Sequence, residues 1–130
     1  DFTRIRMLTQ ELLQTYDVRC NDPLQPVSTL SGGNQQKLVL ARALHRAPRF
    51  ILAMQPTQGL DVGAVEFVYA NLLAQRARGC AILLISTELD EIMALSDRVS
   101  VMYEGKIMGT APRGAFTRAA LGLMMAGKQP

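Results

Sequence analysis

Along residues 3–17, Ile5, Leu8, Leu12, Leu13 and Tyr16 recur at spacings of three and four with polar positions between them. That spacing predicts an amphipathic helix with one core-facing stripe. The pattern breaks in RCNDPLQPVS and resumes after Ser31-Gly32-Gly33 in NQQKLVLARALHRA. There Leu38, Ala41 and Leu44 or His45 share a helical face, and Pro48 is the expected stop. Two stretches lack any helical period. RFILAM at 49–54 and CAILLIS at 80–86 are short continuous apolar runs, as expected for strands covered on both faces of a parallel sheet. Between them VGAVEFVYANLLAQRARG sets Val65, Val68, Tyr69, Leu72 and Leu73 at helical spacing, with Asp61 and Gly79 as its caps. Strand, helix and strand in that order predict a right-handed crossover unit. A short helix in ELDEIMALS follows, then RVSVMYEGKIMGT alternates about Glu104-Gly105 as a hairpin does, and a last helix is expected over 114–126. No internal repeat or low-complexity tract interrupts the series.

Composition narrows the class. A chain of 130 residues that is 48% hydrophobic has the length and apolar content of one domain with a sizeable core. Its 14 basic and 11 acidic residues leave a net charge of +3, too mild and too scattered to predict nucleic-acid binding. Cys20 and Cys80 lie far apart and outside any CxxC spacing, which predicts neither a metal knuckle nor a disulfide framework and fits a reducing cytosol. The longest apolar run, CAILLI, falls far short of the ~20 residues that span a bilayer. Nothing at the amino terminus reads as a signal peptide, so membrane association is expected to go through a partner.

The candidate chemistry begins at LSGGNQQK, residues 30–37. A serine and two glycines opening a helix let backbone N–H groups and one hydroxyl converge on a point, and such a point binds an anion. The glycines matter because a side chain there would hold a phosphate away from the backbone. An ordinary serine N-cap accounts for Ser31 alone but not for eight residues together. Downstream, ARAL, a buried strand, QPTQGLD, LLISTELDE and LSDRVSVMYEGKI follow in order. In motif, order and spacing nearly the whole chain resembles the ATP-binding cassette family. QPTQGLDVGAVEF, LLISTELDEIMALSDRVSVMYEGKI and the terminal LGLMMAG are most similar to the second cassette of double-cassette ATPases serving simple-sugar and nucleoside importers, and the ending leans toward the nucleoside branch.

The resemblance implies an α/β fold: part of a RecA-like P-loop NTPase, a parallel sheet with helices on both faces and a signature-helix subdomain. It implies that residues 1–47 belong to the helical subdomain, 48–111 to the core sheet and 112–130 to a C-terminal helix. A working phosphate loop is absent from the sequence. The nearest match, GLMMAGKQ at 122–129, has Gln129 in place of the magnesium-binding hydroxyl and lies in a helical segment, so it is read as fortuitous. The expected piece is therefore the carboxy-terminal part of a cassette, lacking the phosphate-loop strand and itself inactive as an ATPase.

In the family, ATP and Mg2+ are the cofactors, and each ATP is held between the phosphate loop of one cassette and the signature of the other. By resemblance Ser31, Gly32, Gly33 and Gln35 complete the site on the partner cassette. Asp61 resembles the acid of the loop crossing between cassettes, and its position equally suits the helix cap. Met54 and Gln55 stand where the family has two carboxylates, and Thr87 stands where it has the switch histidine. A thioether is a poor partner for a hard cation that prefers oxygen. Gln55 can hydrogen-bond a water but cannot take its proton, and losing a positioned base costs ~10²–10⁴ in rate. These departures imply a degenerate site that binds or senses nucleotide with little turnover, and no metal ligand in this chain. His45, Tyr103, Glu104, Met124 and Met125 are read as surface, turn or packing residues.

The implied partners are the other cassette, on the same chain or a second one, and membrane permease subunits, with the protein peripheral at the cytoplasmic face of the membrane. The strand at 80–86 is expected to lie beside the missing phosphate-loop strand, leaving an apolar edge through which the isolated piece would self-associate. A cassette ATPase outside transport, or a non-catalytic regulatory cassette that only binds partner helices, remains open as an alternative.

Overall fold

The computed structural model describes residues 1–129. It resolves into two compact units, one running through Leu83 and one from Leu84 onward, with the division inside a strand.

The first unit begins with α1 (Phe2–Thr15), capped by the Asp1 carboxylate, which accepts from the backbone N–H groups of Thr3 and Arg4. The predicted stripe is engaged only at its far end. No residue of α1 is fully buried, and Ile5 and Leu8 are exposed, whereas Tyr16 and Val18 just beyond the helix are buried. Tyr16 meets Phe67 edge to face, with ring centroids 6.5 Å apart. After a single 3-10 turn (Val27–Thr29) comes α2 (Gly32–Leu44). Its buried positions are Leu40, Ala41 and Leu44, so the inward face is rotated away from Leu38, which is half-buried. The helix ends before Pro48 because the residue preceding a proline is disfavoured in the α region. That residue, Ala47, is left-handed at φ 48°.

β1 (Phe50–Met54), α3 (Val62–Ala77) and β2 (Ala81–Ile85) form the strand, helix, strand unit. The strands are neighbours, and the Ala81 N–H donates to the Arg49 carbonyl at 3.0 Å. Both caps of α3 are as expected: Asp61 accepts from the Ala64 N–H, and Gly79 follows the helix with φ 85°. The stripe of α3 that is buried comprises Ala64, Val68, Leu72 and Gln75, and α3 packs on α2.

Double coverage of the strands is not met among the described residues. Successive side chains of a strand point to opposite faces, and here Ala53 is buried while Phe50, Leu52 and Met54 are 58%, 58% and 70% exposed. Leu83 and Ile85 of β2 are exposed in the same alternation. Among the described residues β1 and β2 pair only with each other.

The second unit contains α4 (Leu89–Leu95), β3 (Arg98–Tyr103), β4 (Lys106–Pro112) and α5 (Arg118–Met125). β3 and β4 are the predicted hairpin, pairing Arg98 with Pro112 and Tyr103 with Lys106. Glu104 and Gly105 both have positive φ, at 46° and 77°, as a two-residue turn matched to the strand twist requires. A register shift between Val101 and Met102 leaves β4 one residue longer at that point, the signature of a bulge. Val101, Leu121 and Met124 form the core, flanked by Leu89, Met93, Val99, Met108 and Phe116. The last helix starts at Arg118, four residues later than expected. Gly114 turns at φ 84°, and Thr117 takes the N-cap by accepting from the Ala120 N–H at 3.1 Å. GLMMAGKQ covers the end of α5 and the turn beyond it, not a loop between strand and helix.

Candidate functional site

Ser31 has the extended backbone of an N-cap, and its carbonyl accepts the first α2 hydrogen bond from the Gln35 N–H at 2.9 Å. Its Oγ accepts from the Asn34 side-chain Nδ2 at 3.0 Å and, more weakly, from the Asn34 backbone N–H at 3.4 Å. Ser31 and Gly32 are exposed, and a Cβ added at Gly32 would meet nothing within 4 Å. The open first turn, with its unpaired N–H groups and positive end of the helix dipole, therefore suits a phosphate.

Gly33 has a different reason to be glycine. A Cβ there would lie 3.3 Å from the Ala64 Cβ and 3.6 Å from Asp61 Oδ2. The small residue lets the start of α2 approach the start of α3, which brings Ser31, Gly32, Gly33 and Asp61 into one neighbourhood. The other Asp61 oxygen, Oδ1, is occupied as the α3 cap, accepting from the Ala64 N–H at 2.9 Å. Gln35 turns back, its Nε2 donating to the Leu30 carbonyl at 2.9 Å, so it braces the entry to α2.

Three neighbours of these residues escaped sequence reasoning. Asn34 Oδ1 accepts from the Arg19 N–H at 2.8 Å. Gln36 Nε2 donates to the Pro56 carbonyl at 2.8 Å, fastening α2 to the turn directly after Gln55. Lys37 Nζ donates to the Asp17 carbonyl at 2.9 Å and to its carboxylate at 2.6 Å, and lies 4.9 Å from the Phe67 ring centroid. All three stand in LSGGNQQK, but their partners are 15 to 30 residues away in the chain, so no local pattern announces them.

The hydrogen bond from Lys37, reinforced by its charge, holds the Asp17 carboxyl below the usual aspartate range near 3.8. A lowered folded-state value stabilises the fold above the unfolded value, and that contribution is lost as pH falls through the folded value. We expect the first unit to lose stability below about pH 4 in part through Asp17. Lys37→Met should flatten that portion of the profile, as read from unfolding midpoints between pH 2 and 6.

At the end of β1, Met54 is exposed, and Gln55 is half-buried with a left-handed backbone at φ 47°. This conformation costs a non-glycine residue roughly 1–2 kcal/mol. A thioether is no ligand for Mg2+ and a carboxamide brings one neutral oxygen without a carboxylate's charge, so this pair does not by itself fit that ion. Thr87 belongs to the second unit, in the exposed turn between β2 and α4.

No family model matches the chain. It is 49% identical over 118 residues to the guanosine import ATP-binding protein NupO of Bacillus subtilis, an alignment covering 91% of this chain and 23% of that protein. To the nucleoside import ATP-binding protein NupA of Lactococcus lactis it is 42% identical over 127 residues, covering 98% of this chain and 25% of the relative. The chain thus spans about a quarter of the length of these curated relatives. Among solved structures, the dimeric ATP-binding cassette MJ0796 bound to ADP and Pi superposes with a TM-score of 0.73 at 23% identity, over 89% of this chain and 50% of that one. The fold is that of a cassette ATPase, α/β with a RecA-like parallel sheet. With these sequence relatives matched over nine-tenths or more of its length and the cassette fold pointing the same way, the chain belongs to the ATP-binding cassette family.

Proposed function

We propose that the full-length protein is the ATP-binding subunit of an importer for nucleosides or simple sugars, and that this chain supplies the signature half of its ATP site. The import reading is supported by relatives named for guanosine and nucleoside import. The site reading is supported by one observation: an open, serine-capped helix start at Ser31 and Gly32, in the stretch that resembles the family signature, occurs in the same unit as a β1 end bearing Met54 and Gln55. Ser31, Gly32 and Gly33, with Gln35 bracing the entry, would hold the phosphates of ATP bound to a partner cassette. Asp61 would lie where the two cassettes cross. Mg2+ would be held by that partner and the nucleotide, since this chain offers no fitting donors at Met54 and Gln55. The nucleotide supplies the phosphoanhydride to be cleaved; the residues here bind and orient it.

Among the described residues no helix is long and apolar enough to cross a membrane. By analogy with the relatives named for import, we infer an assembly peripheral at the cytoplasmic face and docked on permease subunits, with residues 1–47, 48–111 and 112–130 serving as helical-subdomain, core and C-terminal segments. The unpaired edge and apolar outer face of β1 and β2 should make the isolated 130-residue chain self-associate. Light scattering that finds a monomer at every concentration would count against this.

The proposed function is tested in the full-length ATPase with its permease by comparing Gln55→Glu with Ser31→Arg. Gln55→Glu should leave turnover nearly unchanged, because a restored carboxylate beside Met54 still lacks its metal-binding neighbour. A gain of the ~10²–10⁴ expected of a positioned base would show instead that this half runs its own chemistry.

A further inference from the structure

We propose that Asn34 is a positioning residue that fixes the direction of the Ser31 hydroxyl, so that Ser31 presents a hydrogen-bond donor to a nucleotide phosphate. The inference rests on the reading of Ser31 as a phosphate ligand and adds the residue that prepares it.

The Arg19 backbone N–H is an unambiguous donor, and it meets the Asn34 carboxamide at 2.8 Å. The atom facing it must be the amide oxygen, since the opposite orientation would set two donors against each other. This orientation places Nδ2 toward Ser31 Oγ, 3.0 Å away. A serine hydroxyl has two acceptor positions and one proton. Asn34 takes both acceptor positions, one with its side chain and one with its backbone N–H. The hydroxyl proton then has no acceptor among the described residues and is directed away from Asn34, at the exposed end of α2. A free hydroxyl would sample several rotors and could accept as readily as donate. Here the polarity is set before a ligand arrives, and a fixed donor suits the phosphate oxygens, which only accept.

The test uses the full-length ATPase with its permease and reads the Kd of a non-hydrolysable ATP analogue by calorimetry, alongside ATPase activity. Asn34→Ala should weaken analogue binding by about tenfold, the effect of one hydrogen bond to a charged group. The Ser31→Ala and Asn34→Ala double variant should bind no more weakly than Ser31→Ala alone, because Asn34 acts through that hydroxyl. Asn34→Asp keeps an acceptor for the Arg19 N–H but offers an oxygen where Ser31 now meets a donor. It should weaken binding at least as much as Asn34→Ala without lowering the unfolding temperature. Losses that multiply in the double variant, or an Asn34→Asp protein that binds normally, would overturn the role of Asn34 while leaving Ser31 as a ligand. If Ser31→Ala itself leaves binding and turnover unchanged, both the proposed function of the signature and this inference fail.

Discussion

Under the proposed function, Ser31→Arg in the full-length protein is expected to lower ATP turnover by on the order of 10²–10³ or more, the loss typical of removing one preorganised donor from a developing anion. Three effects add. The hydroxyl aimed out of α2 disappears. A long side chain enters the open space in front of Gly32 where a phosphate would approach. A cation is also placed at the positive end of a helix dipole, which disfavours it. The accompanying loss of the N-cap should cost about 1 kcal/mol, small enough to leave the cassette folded. Turnover measured with the folded variant, checked by circular dichroism, separates loss of function from loss of structure. Unchanged turnover would mean that the α2 start faces no nucleotide, and the reading of this chain as the signature half of an ATP site would be abandoned.

Met124→Ala is expected to destabilise the second unit by about 3 kcal/mol, within the range for emptying a buried methionine position. Met124 is one of three buried members of a small core with Val101 and Leu121, so its removal leaves a void at the centre of that cluster. The effect should appear as faster amide exchange across β3, β4 and α5, with α2 and α3 unaffected. Gly109 provides a check on the mechanism. A Cβ at that position would lie 3.0 Å from the Met124 sulfur and 3.2 Å from Phe116 Cζ. Gly109→Ala alone should therefore cost about 1 kcal/mol by overpacking. In the Met124→Ala background the same methyl enters vacated space, and Gly109→Ala should restore part of the lost protection. Simple addition of the two losses would show that Gly109 and Met124 do not share the cavity.

Local chemistry made much of the fold and part of the site legible. The caps at Ser31 and Asp61, the Glu104-Gly105 turn and the apolar strands are short-range signals, each set by residues within a few positions of one another. The start of α5 was misplaced because a helical period reaches back through residues 114–117, while Gly114 and the capping hydroxyl of Thr117 settle the boundary. On α2 the expected face holds at Ala41 and Leu44, while Leu40 is buried and Leu38 only half-buried, because these residues offer two overlapping apolar stripes.

Sequence by itself determined the order of elements, the serine-capped, glycine-rich start of α2 and the Met54-Gln55 pair at the end of β1. All three depend on residue type and local spacing alone. Only the tertiary structure decided that Gly33 makes room for α3, that Gln36 ties the signature helix to Pro56, and that Asn34 stands between Arg19 and Ser31. It likewise revealed the exposed apolar face of β1 and β2, where continuous apolar runs had implied cover on both sides. The physical reason is that a hydrogen bond or close contact between segments 15 or more residues apart exists only once the chain has folded. Strand hydrophobicity, in contrast, records what a surface is suited to meet without specifying which residues meet it.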